Sequence, residues 1–566
     1  MPLTEPWNFA AHLRRPEAMG TRHGIASGHQ LATQAGMHVL ESGGNATDAG
    51  VAAGLVLNVT ESQQCSFSGV APIMIHHADR AETTVLDGLG RWPAAASSRR
   101  LRERGWNHIH GGIEATVVPG APSSWLTALE RYGTWSFGDV AEPAIRYADQ
   151  GFVMYPCMAQ TLTAREDEFP AGTEAHRILF PGGKAVRPGD VFRQPDLANS
   201  LRLLVRAEQT ARGDRAAGIR AARDCFYRGA IAAAFVDYHQ ANGGLLTMDD
   251  MAGYRTSVEA PCRGTFRGNT VLTCGPWCQG PMLLQELAIL ERFDLESYEH
   301  NSPAYLHLVI EAIKLAAFDR ERYYGDPDYL DVPLDRLLSG EHAAELAGRI
   351  RQKVALTYDE SPADGPSEPA GNRDTTYVSV VDRWGNAFSA TPSDGIMHRS
   401  PVVPGLGMAA SPRGVQSHLE EGHPAEVAPG RRPRLTPNPA MLLSANGVMP
   451  FGSPGGDLQT QAMLQFLLNV TVFGMTPQRA VEAGRVYSYD FPDSFAPHNR
   501  YPRMVRLEHP ASEPAARGLT ERGHEVTYWP RHEWPLTSVC AVSAGGSPRT
   551  LTAAADYRRA ASAQAQ

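Results

Sequence analysis

An α/β fold built as one large unit or two intimately packed ones is predicted by three features of this 566-residue sequence. Helix-like and strand-like segments alternate along the chain, 42% of residues are hydrophobic, and a two-strand hairpin pattern lies past the midpoint, over residues 376–391. In chain order, residues 1–22 read as a leader arm with no apolar run, so no signal peptide is expected. Residues 23–29 read as a short strand and 30–41 as a helix closed by Gly43-Gly44, after which Asn45 or Thr47 caps a second helix through Val59. Residues 72–76 and 84–86 are expected as adjacent strands. Helices are expected from Gly120 to near Gly133, over 137–151, after Gly229, over 282–293 and over 307–323, the last with Glu311, Lys314 and Asp319 facing outward. Residues 448–451 read as a strand that ends in Gly452-Ser453-Pro454-Gly455-Gly456 and leads into a helix to Asn469.

Charge and cysteine content narrow the function. The net charge is -9 and no dense Lys/Arg cluster occurs, which argues against a nucleic-acid surface. The short basic spot Arg99, Arg100, Arg102 and Arg104 reads as a solvated helix face. Seven scattered cysteines give no disulfide frame, and Cys274 with Cys278 lacks a second ligand pair, so no zinc site is expected. No run has the length of a membrane helix, and cytoplasmic residence follows by default.

The chemistry centres on Asp374-Thr375-Thr376. Strand-like runs 376–381 and 387–391 flank a turn at Trp384-Gly385-Asn386. A Thr at the mouth of a buried strand can attack the preceding carbonyl if the backbone there is strained, shift the acyl group from nitrogen to oxygen and lose it to water. The new chain end then has a base of its own. A terminal amine ordinarily titrates at about pH 7.7 to 8.0, so a useful fraction is unprotonated near neutrality, beside the hydroxyl it must serve. Residues 357–373 are rich in Pro and Gly and read as a flexible linker before the cut. Cutting there gives a large piece, 1–374, and a small one, 375–566.

Thr375-Thr376-Tyr377-Val378-Ser379-Val380-Val381-Asp382, followed by Gly385-Asn386-Ala387, resembles the nucleophile segment of the γ-glutamyltranspeptidase family of N-terminal-nucleophile hydrolases, and the order of elements is similar over nearly the whole chain. The resemblance implies a four-layer αββα sandwich and self-cleavage before Thr375. It implies no metal or organic cofactor, and as partners a small-molecule amide and the chain's own second fragment, in an αβ heterodimer alone or paired with its copy. By the match to Gly-Ser-Pro-Gly-Gly, Gly455 and Gly456 are the oxyanion donors. Thr391, Ser393 and Asn386 are candidates for orienting the Thr375 hydroxyl, with Ser393 preferred because the family has a second Thr there. Asp382 and Asn386 otherwise read as turn-formers.

At the specificity positions the chain departs from the family. Its Arg for the substrate α-carboxylate falls on Leu89 here, with Arg91 two residues on and, if the segment is a strand, on the same face. Its Ser-Ser pair falls on Leu435-Thr436. Its Gln and Asp for the α-ammonium fall on Arg413 and Gln416, which turns a preference for a cation into one for a carboxylate. Pro412-Arg413-Gly414 and Gly455-Gly456-Asp457-Leu458-Gln459 are similar to segments of oxamate amidohydrolases and cephalosporin acylases, which makes Asp457 a further substrate-binding candidate. The expected function is thus a self-processing amide hydrolase for a small acid-bearing amide other than a standard γ-glutamyl donor. A γ-glutamyltransferase or glutathione hydrolase with Arg91 as carboxylate reader, and an inactive binding scaffold, are the alternatives.

Overall fold

The computed structural model describes residues 14–357, 374–396, 400–445, 447–508, 513–529 and 537–566. Residues 358–373 of the expected 357–373 linker and the first thirteen residues of the leader arm lie outside them. Two seven-stranded antiparallel sheets form the centre. The first runs Ala18–Gly20, Thr550–Ala555, Cys540–Gly545, Gly447–Gly452, Ala440–Ser444, Asn269–Thr273, Cys262–Phe266. The second runs Ser562–Ala565, Gly24–Ser27, Val378–Val381, Ala387–Ala390, Ile73–His77, Glu82–Leu86, Val258–Glu259.

The sheets pack face to face through a layer of mostly small or slender side chains, among them Ala26, Met74, Val381, Ala387, Met441, Val542 and Ala553. Helices Gln30–Glu41 and Ala46–Thr60 cover the outer face of the second sheet, and helices Gly280–Leu290 and Gln459–Thr471 that of the first. The result is the four-layer αββα sandwich of the N-terminal-nucleophile hydrolases. The central hairpin shows why these residues choose this register. Val378, Val380, Phe388 and Ala390 point to the helix layer, while Tyr377, Val381 and Ala387 point between the sheets.

Local signals place the flanking elements. Asn45 caps Ala46–Thr60 with a full capping box to Asp48. Asp382 fixes the hairpin end, accepting from the N–H groups of Trp384 at 2.9 Å and Asn386 at 3.0 Å, and it also accepts from Ala46 N–H at 3.0 Å, which ties the turn to the helix N-terminus.

Two expectations are corrected. On the helix Pro303–Tyr323, Glu311 and Lys314 are fully buried rather than outward. Asp490, Leu356 and His524 meet that face: Lys314 Nζ pairs with Glu311 at 3.0 Å and Asp490 at 3.1 Å, and Leu356 N–H donates to Glu311 at 2.9 Å. Residues 87–93 are not a strand: Gly88 and Gly90 take φ of +54° and +79°, so the backbone reverses and Arg91 shares no face with Leu89. Leu89 is buried in the layer between the sheets.

Candidate functional site

Thr375 stands three residues ahead of the strand Val378–Val381, and backbone bonds hold its approach. Thr376 N–H donates to Pro392 O at 2.9 Å, and Gly28 N–H donates to Tyr377 O at 3.0 Å. Thr375 is wholly buried and has φ of +148°, a region essentially reserved for glycine and an outlier for a β-branched residue. Strain of that kind costs about 1–3 kcal/mol. In the uncut chain it sits on the residue whose N-terminal bond is the expected scissile one.

Polar groups from four distant segments converge on Asp374 and Thr375. Thr375 Oγ1 shares a hydrogen bond of 2.8 Å with Ser393 Oγ. Arg413 Nη2 donates to that same Ser393 oxygen, which leaves Ser393 one proton and one lone pair for Thr375. Arg413 Nη2 also donates to Asp374 Oδ1 at 2.5 Å, and Gly395 N–H donates to Asp374 Oδ2 at 2.8 Å. Thr375 N–H points to Gln64 Oε1 at 3.3 Å, and Arg559 Nη1 donates to Thr375 O at 3.1 Å.

Electrostatics follow burial. Asp394, at φ +79° and 3.5 Å from Arg413 Nε, is pushed up to about 7, chiefly by desolvation, with Arg413 opposing and Asp374 adding to the rise. Glu61, buried at the end of Ala46–Thr60, is likewise raised by desolvation against the pull of the Thr376 hydroxyl and Arg559.

The other expected site residues divide. Arg413–Gln416 forms one 3₁₀ turn, which places residues three apart on one side, and Gln416 Nε2 donates to Thr436 Oγ1 at 3.3 Å, so Gln416 and Thr436 meet. Gly455 and Gly456 have φ of +126° and +58° and turn the chain from Gly447–Gly452 into the helix layer. A Cβ on Gly452 would collide with the Tyr377 ring, so this strand end abuts the residue two beyond Thr375. Thr391 Oγ1 has no hydrogen-bond partner among the described residues and does not orient Thr375. Asn386 lies past the opposite end of the strand, bound to Asp382. Asp457 is already engaged by Gln279, Arg320 and Ser494, an internal tie that leaves its carboxylate committed. Arg91 is likewise taken up by Asp328 at 2.8 Å and the Gly430 carbonyl at 3.1 Å.

Residues 32–566 match the family model described as Gamma-glutamyltranspeptidase. The chain belongs to the γ-glutamyltranspeptidase family. It is similar to the Acylase ACY 1 proenzyme of Pseudomonas sp. (strain SE83), 32% identical over 96% of this chain and 93% of the relative. It is similar also to the Glutathione hydrolase-like YwrD proenzyme of Bacillus subtilis (strain 168), 34% identical over 82% of this chain and 85% of the relative. Among solved structures, cephalosporin acylase from Bacillus halodurans superimposes with a TM-score of 0.86 at 27% identity, covering 100% of this chain and 99% of that one. As a member of this family the protein is an enzyme of the amidohydrolase and acyltransferase type, and its likeness is to proteins named as proenzymes.

Five residues of the constellation escaped the sequence: Gln64, Glu61, Asp394, Gly395 and Arg559. Gln64 and Glu61 follow a helix whose Ala-rich body is legible but whose exit is not. Arg559 arrives from just before the last strand, and only the fold brings it to Thr375. Asp394 alone carried a signal, as the acid next to Ser393. No helix among the described residues is long and apolar enough to cross a membrane.

Proposed function

We propose that the chain cuts itself between Asp374 and Thr375 and then hydrolyses a small, acid-bearing amide that is not a standard γ-glutamyl donor. The observation that carries this is Arg413, whose Nη2 reaches both Ser393, the partner of the Thr375 hydroxyl, and a carboxylate on the acyl side of the bond to be cut. Thr375 Oγ attacks the amide carbonyl, its freed α-amine takes the proton and passes it to the leaving amine, and water resolves the ester. Gly455 and Gly456 serve as oxyanion donors, Ser393 orients the hydroxyl, and Gln64 stands where the α-amine would be held. Arg413, with Gln416 and Thr436 alongside, receives the acid group; a γ-glutamyl α-ammonium placed there would meet like charge.

Names of relatives support both acylase and glutathione hydrolase activity. The second is the weaker reading here, because Arg91, its expected carboxylate reader, is held by Asp328 and Gly430. Initial rates on γ-glutamyl, oxamyl and glutaryl amides test the proposal. Preference for the acids lacking an α-amine is expected, and a clear preference for γ-glutamyl donors overturns it.

A further inference from the structure

Asp374 supplies the acyl side of the bond that the proposed self-cleavage breaks, and its carboxylate is held by two buried donors. In self-cleavage the Thr375 Oγ–C bond forms as the Asp374 C–N bond breaks, the hydroxyl proton passing to the departing nitrogen. The product is an ester in which Asp374 is the acyl group and the amine of Thr375 is free. That ester is chemically an acyl-enzyme, and water cleaves it as it would one formed from an external amide. The acyl part present in the structure is a four-carbon unit: carbonyl carbon, Cα, Cβ and a terminal carboxylate. Its carboxylate lies between Arg413 Nη2 at 2.5 Å and Gly395 N–H at 2.8 Å, with both donors buried. Withdrawal of Asp374 would leave Arg413 with Ser393 and with Asp394, 3.5 Å away in the uncut chain, and would leave Gly395 N–H without this acceptor.

We propose that the cradle holding Asp374 in the uncut chain is the acid-binding subsite of the mature enzyme, and that it selects mono-amides of an unsubstituted four-carbon dicarboxylic acid, succinyl amides. This rests on the function proposed above and names its substrate class. An oxalyl group places its carboxylate two carbons too near the acyl carbon to reach both donors. A glutaryl group carries one methylene too many, a difference that costs about 10-fold or more in a fitted pocket. Each turnover is balanced: succinyl amide and Thr375 give the succinyl ester and free amine, then water gives succinate and the hydroxyl.

The test uses the wild-type protein. Its mass is first measured under denaturing conditions, and kcat/KM is then determined for oxalyl, malonyl, succinyl, glutaryl and butyryl anilides, with succinate and glutarate as inhibitors. The expected result is two fragments, a succinyl rate about 10-fold or more above glutaryl, a butyryl rate lower still, and competition by succinate. If the chain is cut but any of the other four anilides is turned over best, the inference is wrong and the role of Thr375 stands. An uncut, inactive chain would instead remove the reading beneath it.

Discussion

In the proposed mechanism Ser393 aims the Thr375 hydroxyl, and Ser393→Ala isolates that contribution. The substitution removes the 2.8 Å hydrogen bond to Thr375 Oγ1 and the acceptor for one Arg413 donor, while Asp374 still holds that guanidinium. Its volume change is small and the site is buried, so the fold should persist. A hydrogen bond in a charged network is worth about 1.5–3 kcal/mol. If it is made fully only as the hydroxyl attacks, its loss slows self-cleavage and turnover by about 10- to 150-fold. The assay follows disappearance of the full-length band on a denaturing gel, alongside amide turnover by the cut protein. Circular dichroism checks folding. Ser393→Thr keeps the hydroxyl and should restore most of the rate. Wild-type rates of cutting and turnover in Ser393→Ala would refute the assignment.

The remaining predictions concern the amine, the turn and the buried acid. Gln64→Glu places a negative charge by the Thr375 nitrogen, which favours the ammonium; the acidic limb of the kcat/KM profile should move to higher pH, whereas Gln64→Ala should lower the rate without that upward shift, and profiles unchanged in both would remove Gln64 from the site. Asp382→Ala strips three backbone and one side-chain donor of their acceptor, so an uncut Thr375→Ala background should lose about 3 kcal/mol by urea denaturation; a loss below about 0.5 would contradict the hairpin account. Asp394 is raised to about 7 in the fold against 3.8 unfolded, so its contribution is fully present below pH 3.8, declines above it and is gone once pH passes about 7. On the same background, stability should therefore fall across that window more steeply with Asp394 than with Asp394→Asn, and equal slopes would contradict the burial-driven shift.

Much of this site could be read from residue patterns because the hairpin that follows Thr375 is local. Alternation fixes which of Tyr377, Val378 and Val380 face each layer, and Asp382 with Asn386 announces the turn. The pairing of Thr375 with Ser393 was also within reach, since both belong to one strand–turn–strand unit. What escaped depends on third elements. Glu311 and Lys314 look like solvent-facing charges on a helix until Leu356 and His524 come against them and Asp490 completes their pairing. Arg91 looks two residues along a strand from Leu89 until Gly88 and Gly90 bend the chain. Asp457, within a motif that marked it for substrate, is instead claimed by Arg320 from a helix 137 residues earlier. Arg559 needs the whole sandwich closed before its guanidinium can meet Thr375.

Mass spectrometry of the freshly purified protein under denaturing conditions, compared with Thr375→Ala, bears most directly on the role of Thr375. Two chains, one ending at Asp374 and one starting with Thr375, should be found for the wild type, with the variant left whole and inactive. A wild-type chain that stays whole while hydrolysing amides, or a variant that still does so, would contradict it.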